Sequence, residues 1–99
     1  MPEFCDPFVA LNANGEIDHE ELVRLIRLAI ASEGEAIQIY TQIAEATTND
    51  LAKKVLMDVV HEEKVHIGSF LKLMKTIEPE EFKYYDKGMK EADELMAGK

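Results

Sequence analysis

The stretch of sequence that decides the fold is HEEKVHIGSF, residues 61–70. It lies in a segment whose apolar residues recur every three or four positions, a spacing that places side chains on one face of an α-helix. Midway through the segment, this spacing falls on Glu63 and His66. A carboxylate and an imidazole therefore occupy positions where a helix normally presents apolar side chains to its core.

The series around this stretch steps alternately by four and three positions, which is close to the seven-residue repeat of helices packed nearly side by side. The predicted helix lies between the loop TTND, residues 47–50, which also supplies an N-cap, and Pro79, which ends it. The members of the series are Ala52, Leu56, Val59, Glu63, His66, Phe70, Leu73 and Ile77.

A second long amphipathic helix of about 28 residues is predicted before the loop. Asp18 followed by Glu21 has the form of a helix start, because an acidic cap accepts hydrogen bonds from free backbone N–H groups and the Glu reaches back. Its series also contains one charged residue, Glu33. The members are Leu22, Leu25, Ile26, Ala29, Glu33, Ala36, Ile37, Tyr40, Ile43 and Ala44.

A third, shorter helix is predicted to start at Pro79, with an apolar edge of Phe82, Tyr85, Met89, Ala92 and Met96. The fold class is therefore all-α, an antiparallel two-helix hairpin with a short C-terminal helix. Residues 1–17 show no sustained period and are interpreted as an irregular N-terminal arm, and residues 18–99 as the helical domain. The acidic residues at 78–81 and 91–94 are interpreted as solvated faces.

The overall composition limits the kind of protein and the kinds of binding partner that the sequence suits. A net charge of −9 disfavours nucleic acid and anionic membranes and favours cations. The single Cys5 excludes an internal disulfide and a four-cysteine iron centre, and it suits a reducing cytoplasm. No signal peptide is expected from residues 1–15. A chain of 99 residues buries only about 60–65% of its unfolded surface and is marginal alone, so self-association is expected.

Glu33, Glu63 and His66 are predicted to converge halfway along the hairpin. Glu33 lies 14 positions before Thr47, and Glu63 lies 13 positions after Asp50, so the two fall at nearly the same height. Glu63 and His66, three positions apart, share one helix face. Carboxylates with imidazole suit iron, manganese or zinc. The alternative interpretation is a Glu–His salt bridge without a metal.

The number of ligands predicts how the site is completed. A full di-iron site in a helical bundle takes a Glu and a Glu-x-x-His twice over, and this chain contains the set once. Half a site per chain predicts a two-fold interface at which two hairpins form a four-helix bundle and share a metal pair.

The segments SEGEAIQIY, residues 32–40, and HEEKVH, residues 61–66, resemble the encapsulated ferritins. The resemblance implies that Glu33, Glu63 and His66 are ferroxidase ligands at a two-fold interface, with Glu63 bridging two irons and Tyr40 close by. It also implies a homo-oligomer in which dimers form an open ring of ten chains. Such proteins oxidise Fe(II) inside an encapsulin shell that stores the product, which places the protein in a cytoplasmic nanocompartment.

The sequence departs from that family at two places. Some members carry two acidic residues that attract incoming iron; Glu35 matches one of them, but Ser32 stands in place of the other. Cargo members also end in a shell-docking peptide, whereas this chain stops at ELMAGK, residues 94–99. That ending predicts a truncated chain, part of a shell fusion, or a protein that is not cargo.

Two other metal motifs are excluded or disfavoured. His61 and His66 are five positions apart, about 140° round a helix, so HEEKVH is not a zinc-protease motif. Residues 12–21 resemble a calcium loop, but Ala10 stands at its first ligand position and a turn is favoured.

The leading functional hypothesis is a ferroxidase with an iron pair shared by two chains, for which manganese or zinc can substitute. Two alternatives are a di-iron peroxidase of the rubrerythrin type and a non-enzymatic helical module that dimerises. In the last case the three polar residues would fix the register of the helices.

Overall fold

The structure, a computed structural model, describes residues 16–98, and in that range it consists of three α-helices. Helix α1 spans His19–Ala46, α2 spans Asp50–Ile77 and α3 spans Pro79–Met96. The predicted all-α class is confirmed. None of these helices is long and apolar enough to cross a bilayer. The greater part of the predicted arm, with Cys5 and residues 12–15 of the calcium-like loop, lies outside the described residues.

Side-chain caps set the beginnings of both long helices. The Asp18 carboxylate accepts a hydrogen bond from the Glu21 backbone N–H at 2.8 Å, as its sequence context predicts. The Asn49 side chain accepts one from the Ala52 backbone N–H at 2.9 Å and starts α2. The loop between the helices is only three residues long, 47–49, so α1 and α2 are antiparallel neighbours.

One cluster of buried side chains lies near the open end of the hairpin, where α1 begins and α2 finishes. Val23, Ile26 and Met74 form its centre. The partly buried side chains packed against this centre are Ile30, Phe70, Ile77 and Tyr85. Residues from all three helices therefore hold the open end together, and the buried Ala44 and Val60 lie nearer the loop.

The face of α2 that packs against α1 is shifted from the predicted series. Val60 and Met74 are the most buried side chains of α2, at 1% and 0% exposure, and neither belongs to that series. Leu73, which does, is 42% exposed. Two adjacent rows of α2 are apolar, and helical spacing by itself does not state which row faces α1.

The second apolar row of α2, which includes Leu73, gives one side of the hairpin an exposed apolar surface. Helical geometry places Leu22 and Ile43 of α1 on the same side of the hairpin as Val55 and Leu73 of α2, and all four side chains are exposed. We call these four residues the open face. The radius of gyration is 17.3 Å, against about 13 Å for a compact domain of 100 residues. With extents of 51 × 45 × 22 Å along its principal axes, the chain is an open, flattened unit with apolar surface available for a partner.

Helix α3 leaves the hairpin after its first turns, and none of its residues is fully buried. Two acids at its start do not form the solvated face that the sequence suggested. Glu81 bonds to Arg27 of α1, and Glu78 lies 3.2 Å from His19. Partners more than 50 positions apart in the chain come together only through the fold, so the sequence pattern gave no sign of these pairs.

Candidate metal centre

The three predicted ligands are positioned by the middle of two uninterrupted helices. Both helices contain 28 residues. Glu33 is the fifteenth residue of α1 and Glu63 the fourteenth of α2, and antiparallel pairing brings them to the same level. His66 follows Glu63 by three positions, so it lies one turn further along α2 on the same side.

The structure brings the side chains of Glu33, Glu63 and His66 together, with one ligand atom from each lying within 4.8 Å of the others. His66 Nδ1 is 3.6 Å from Glu33 Oε1 and 3.8 Å from Glu63 Oε2. These distances are too long for hydrogen bonds. Two ligands at about 2.1 Å from one ion can be at most about 4.2 Å apart, so both His66 separations suit a common cation.

The side chain of Glu33 provides the strongest indication that this cluster could bind a cation. Its Oε2 atom is buried and has no hydrogen-bond partner among the described residues. A buried carboxylate oxygen without a partner carries a desolvation cost of a few kcal/mol, which coordination of a cation removes. The donor set, two carboxylates and one imidazole, fits iron, manganese or zinc.

A simple salt bridge explains this cluster less well. Even a protonated His66 offers one positive charge to two carboxylates, which leaves one negative charge uncompensated. The Glu33 and Glu63 side chains are only 19% and 18% exposed, whereas that of His66 is 50% exposed. Water therefore screens the two acids poorly, and a divalent cation balances their charge where the imidazole does not.

Glu35 and Tyr40, the two residues predicted to lie beside the ligands, are on α1 and are not members of the cluster. Glu35 is half-buried and follows Glu33 by two positions, about 200° round the helix, so its carboxylate is not among the three that converge. Tyr40 is half-buried, two turns beyond Glu33. Their roles beside the metal stay predictions.

His61 lies in a different part of α2. With Lys54, Val55, Met57 and Asp58 it lines an open groove of about 540 Å³. All of these residues belong to one helix, and none of them is a member of the carboxylate–imidazole cluster. That His61 and His66 do not share a metal stays a prediction.

An antiparallel helical hairpin that carries a Glu on one helix and a Glu-x-x-His on the other is the repeating unit of ferritin-like carboxylate proteins. The rubrerythrin family model matches residues 24–95 of this chain. The chain belongs to the rubrerythrin family, and the resemblance to encapsulated ferritins is confirmed by the comparison with solved structures.

The crystal structure of the encapsulated ferritin domain from Pyrococcus furiosus superposes with a TM-score of 0.81 and 33% identity, covering 96% of this chain and 97% of that one. A ferritin-like-encapsulin shell fusion protein of the same organism is 36% identical over 86% of this chain and 25% of its own length. The encapsulin nanocompartment cargo protein EncC of Myxococcus xanthus is 38% identical over 82% of this chain and 61% of its own length. The chain thus spans a quarter and about three-fifths of these two relatives.

Proposed function

We propose that this protein is a ferroxidase that binds Fe(II) through Glu33, Glu63 and His66 and oxidises it for iron storage and detoxification. The observation that carries the proposal is the buried, unpartnered Glu33 Oε2 within a cluster of two carboxylates and one imidazole. Carboxylates favour the oxidised ion over the reduced one, because the more highly charged Fe(III) gains more from their negative charge.

The site is completed by a second copy of the chain. One chain supplies one Glu and one Glu-x-x-His, half the ligand set of a di-iron bundle. The open face lies on the side of the hairpin toward which His66 projects, so a copy docked there by a two-fold axis brings its own three ligands to the same place. In such a dimer Glu63 would bridge the two irons, and we infer that the dimers assemble into a larger ring.

The oxidation of one pair of Fe(II) ions supplies the two electrons that the reaction needs. Two Fe(II) ions lose one electron each, and with two protons these electrons reduce one dioxygen to hydrogen peroxide. The three side chains of each of the two chains would hold the ions and compensate their charge. Their elements are rigid, because each ligand lies near the centre of a 28-residue helix and far from a fraying end.

The partner of the assembled protein is an encapsulin shell. The names of two relatives, a shell fusion and a nanocompartment cargo protein, support this part of the proposal. We infer that the protein works in the interior of a cytoplasmic nanocompartment, where the shell takes up the oxidised iron.

The test is the rate of Fe(II) oxidation in the full chain under air. Glu63→Ala and His66→Ala are expected to abolish rapid oxidation, because each removes a ligand from both halves of the shared site. Glu62→Ala and His61→Ala are matched controls, since they remove the same groups from adjacent exposed positions of α2. Unchanged kinetics in both ligand variants, or equal losses in the controls, would reject the assignment.

A second candidate, a peroxidase with the same metal pair, is favoured by the match to the rubrerythrin family model. The two activities differ in the electron acceptor. Anaerobic protein loaded with Fe(II) should oxidise faster with dioxygen than with an equal concentration of peroxide if it is a ferroxidase, and the order should reverse if it is a peroxidase.

Removal of the metal distinguishes a metalloprotein from a helical module with a purely structural role. Chelation should lower the melting temperature of a metalloprotein, because the ion stabilises only the folded state. An unchanged melting temperature after complete metal removal would favour a helical module in which the three residues only set the register.

A further inference from the structure

The connection between α3 and the rest of the molecule is a one-residue joint. Helix α2 ends at Ile77, α3 begins at Pro79, and Glu78 alone separates them. Glu78 makes no side-chain cap for α3, and α3 has no fully buried residue. The Cα atoms of α1 and α3 nowhere approach within 8 Å of each other. Apart from its short backbone contact with α2, α3 is therefore joined to the hairpin through side chains.

Three of those side chains form a connected network, which we call the α3 clamp: Arg27 of α1 with Glu81 and Tyr85 of α3. Arg27 Nε donates to Glu81 Oε2 at 2.8 Å, and Arg27 Nη2 donates to Glu81 Oε1. The Tyr85 hydroxyl also donates to Glu81 Oε2. Both carboxylate oxygens of Glu81 are thus engaged, and its side chain is only 18% exposed.

The clamp constrains direction more tightly than the other contacts at the start of α3. Tyr85 packs against the cluster of Val23, Ile26 and Met74, and the Lys75 ammonium of α2 lies 5.5 Å from the Phe82 ring. Such contacts hold the first turns of α3 near the hairpin but tolerate rotation. A guanidinium and a carboxylate joined by two parallel bonds fix both distance and orientation.

We propose that the α3 clamp fixes the angle at which α3 leaves the hairpin, with Arg27 as its positioning residue on α1. The clamp holds α3 as a rigid arm and keeps the one-residue joint from acting as a hinge. This role is independent of metal binding, because the clamp lies near the open end of the hairpin and the three ligands lie at its middle.

Backbone hydrogen exchange of residues 79–96 in the metal-free full chain tests the proposal. Arg27→Ala and Glu81→Ala should each raise exchange in α3 about tenfold, the scale of a charge-assisted hydrogen bond. The double variant should exchange no faster than either single variant, because both remove the same unit. Exchange at the centres of α1 and α2 should stay unchanged, which shows that the hairpin is folded.

Arg24→Ala is the matched control, because Arg24 pairs with Glu21 inside α1 and bridges no elements. Equal effects of Arg24→Ala and Arg27→Ala, or fully multiplicative effects in the double variant, would overturn the proposal. Tyr85→Phe keeps the ring and loses the hydroxyl, so it should give a smaller increase than Arg27→Ala. An increase as large as that of Arg27→Ala would show that the Tyr85 hydroxyl contributes as much as Arg27, and it would overturn the assignment of Arg27 as the positioning residue.

A second measurement reports the angle itself. Two cysteines, introduced by Ala31→Cys and Asp93→Cys in a Cys5→Ser background, each carry a spin label. The distance between the two labels reports the distance between α1 and the end of α3. A single narrow distribution that broadens with Arg27→Ala, and not with Arg24→Ala, supports the clamp. A distribution already broad in the parent protein, or unchanged by Arg27→Ala, contradicts it.

Discussion

Glu33 is expected to favour metal binding and to lower the stability of the metal-free protein. Its side chain is 19% exposed, and Oε2 has no hydrogen-bond partner among the described residues. The carboxylate of Glu63 is in the same cluster, so two negative charges approach each other in poorly solvated surroundings. Burial of the Glu33 carboxylate is therefore costly in the metal-free protein, and a cation bound at the proposed site would offset this cost.

Glu33→Gln is accordingly expected to stabilise the metal-free protein by about 1 kcal/mol, because it removes a charge and keeps the volume. That amounts to a rise of about 4–8 °C in the melting temperature of a domain of this size. The same variant should gain no stability from added Fe(II). Scanning calorimetry with and without metal measures both effects. Glu45→Gln, at an exposed position of α1, is the control. A lower melting temperature of metal-free Glu33→Gln would contradict this account.

At the scale of elements, the contact between α1 and α3 depends on charge. The hydrogen bond from Arg27 is the main cause that lowers the pKa of Glu81 from 4.5 to about 2. A carboxyl group whose pKa is lower in the folded state stabilises that state above its unfolded pKa and stops doing so as the pH falls through its folded pKa. The contribution of Glu81 is therefore complete above about pH 4.5 and is lost between that value and about pH 2.

The difference in melting temperature between the parent protein and Arg27→Ala should follow the same window. It should be constant above pH 4.5 and shrink as the pH approaches 2. Other carboxyl groups titrate in both proteins and cancel in the difference. Thermal unfolding followed by circular dichroism from pH 2 to 7 measures it, and a difference that does not vary with pH would show that Arg27 stabilises the fold through packing alone.

At the scale of the whole molecule, the open face is the surface on which we propose that a second copy docks. The described chain buries only five hydrophobic side chains, Val23, Ile26, Ala44, Val60 and Met74. Its radius of gyration of 17.3 Å and extents of 51 × 45 × 22 Å are those of an open, flattened body. Small domains gain stability by association when their own core is limited. A second copy on the open face would supply both the missing core and the missing half of the ligand set.

Leu73→Glu is expected to separate the assembly into single chains and to abolish rapid Fe(II) oxidation although all three ligands remain. A charge placed in an apolar interface costs several kcal/mol of association free energy. Sedimentation velocity and oxidation kinetics on the same sample measure the two effects.

Lys64→Glu places a negative charge about 180° round α2 from Leu73, on the opposite side of the helix, and should change neither property. An active Leu73→Glu protein of unchanged size would show that the open face is not the interface and that one chain suffices for the reaction.

Local sequence determined most of the helical architecture. Asp18 and Asn49 supply caps, Pro79 starts α3, and the short loop makes the long helices antiparallel, so their lengths place Glu33 and Glu63 at one level. These features depend on neighbours in the chain and on helical spacing, which is why they could be predicted. That the three ligands bind iron stays a prediction, as do the shared dimer, the ring and the shell.

Only the tertiary structure decided the features that depend on how the helices are rotated and where α3 lies. Two adjacent rows of α2 are apolar, and packing against α1 selected the row of Val60 and Met74 over that of Leu73. Arg27 and Glu81 are 54 positions apart, and no local pattern relates them. The unpartnered oxygen of Glu33 is likewise a property of its surroundings. Spacing along a chain specifies which residues share a helix face, whereas contacts between helices also depend on rotation and angle, which the sum of all side-chain contacts determines.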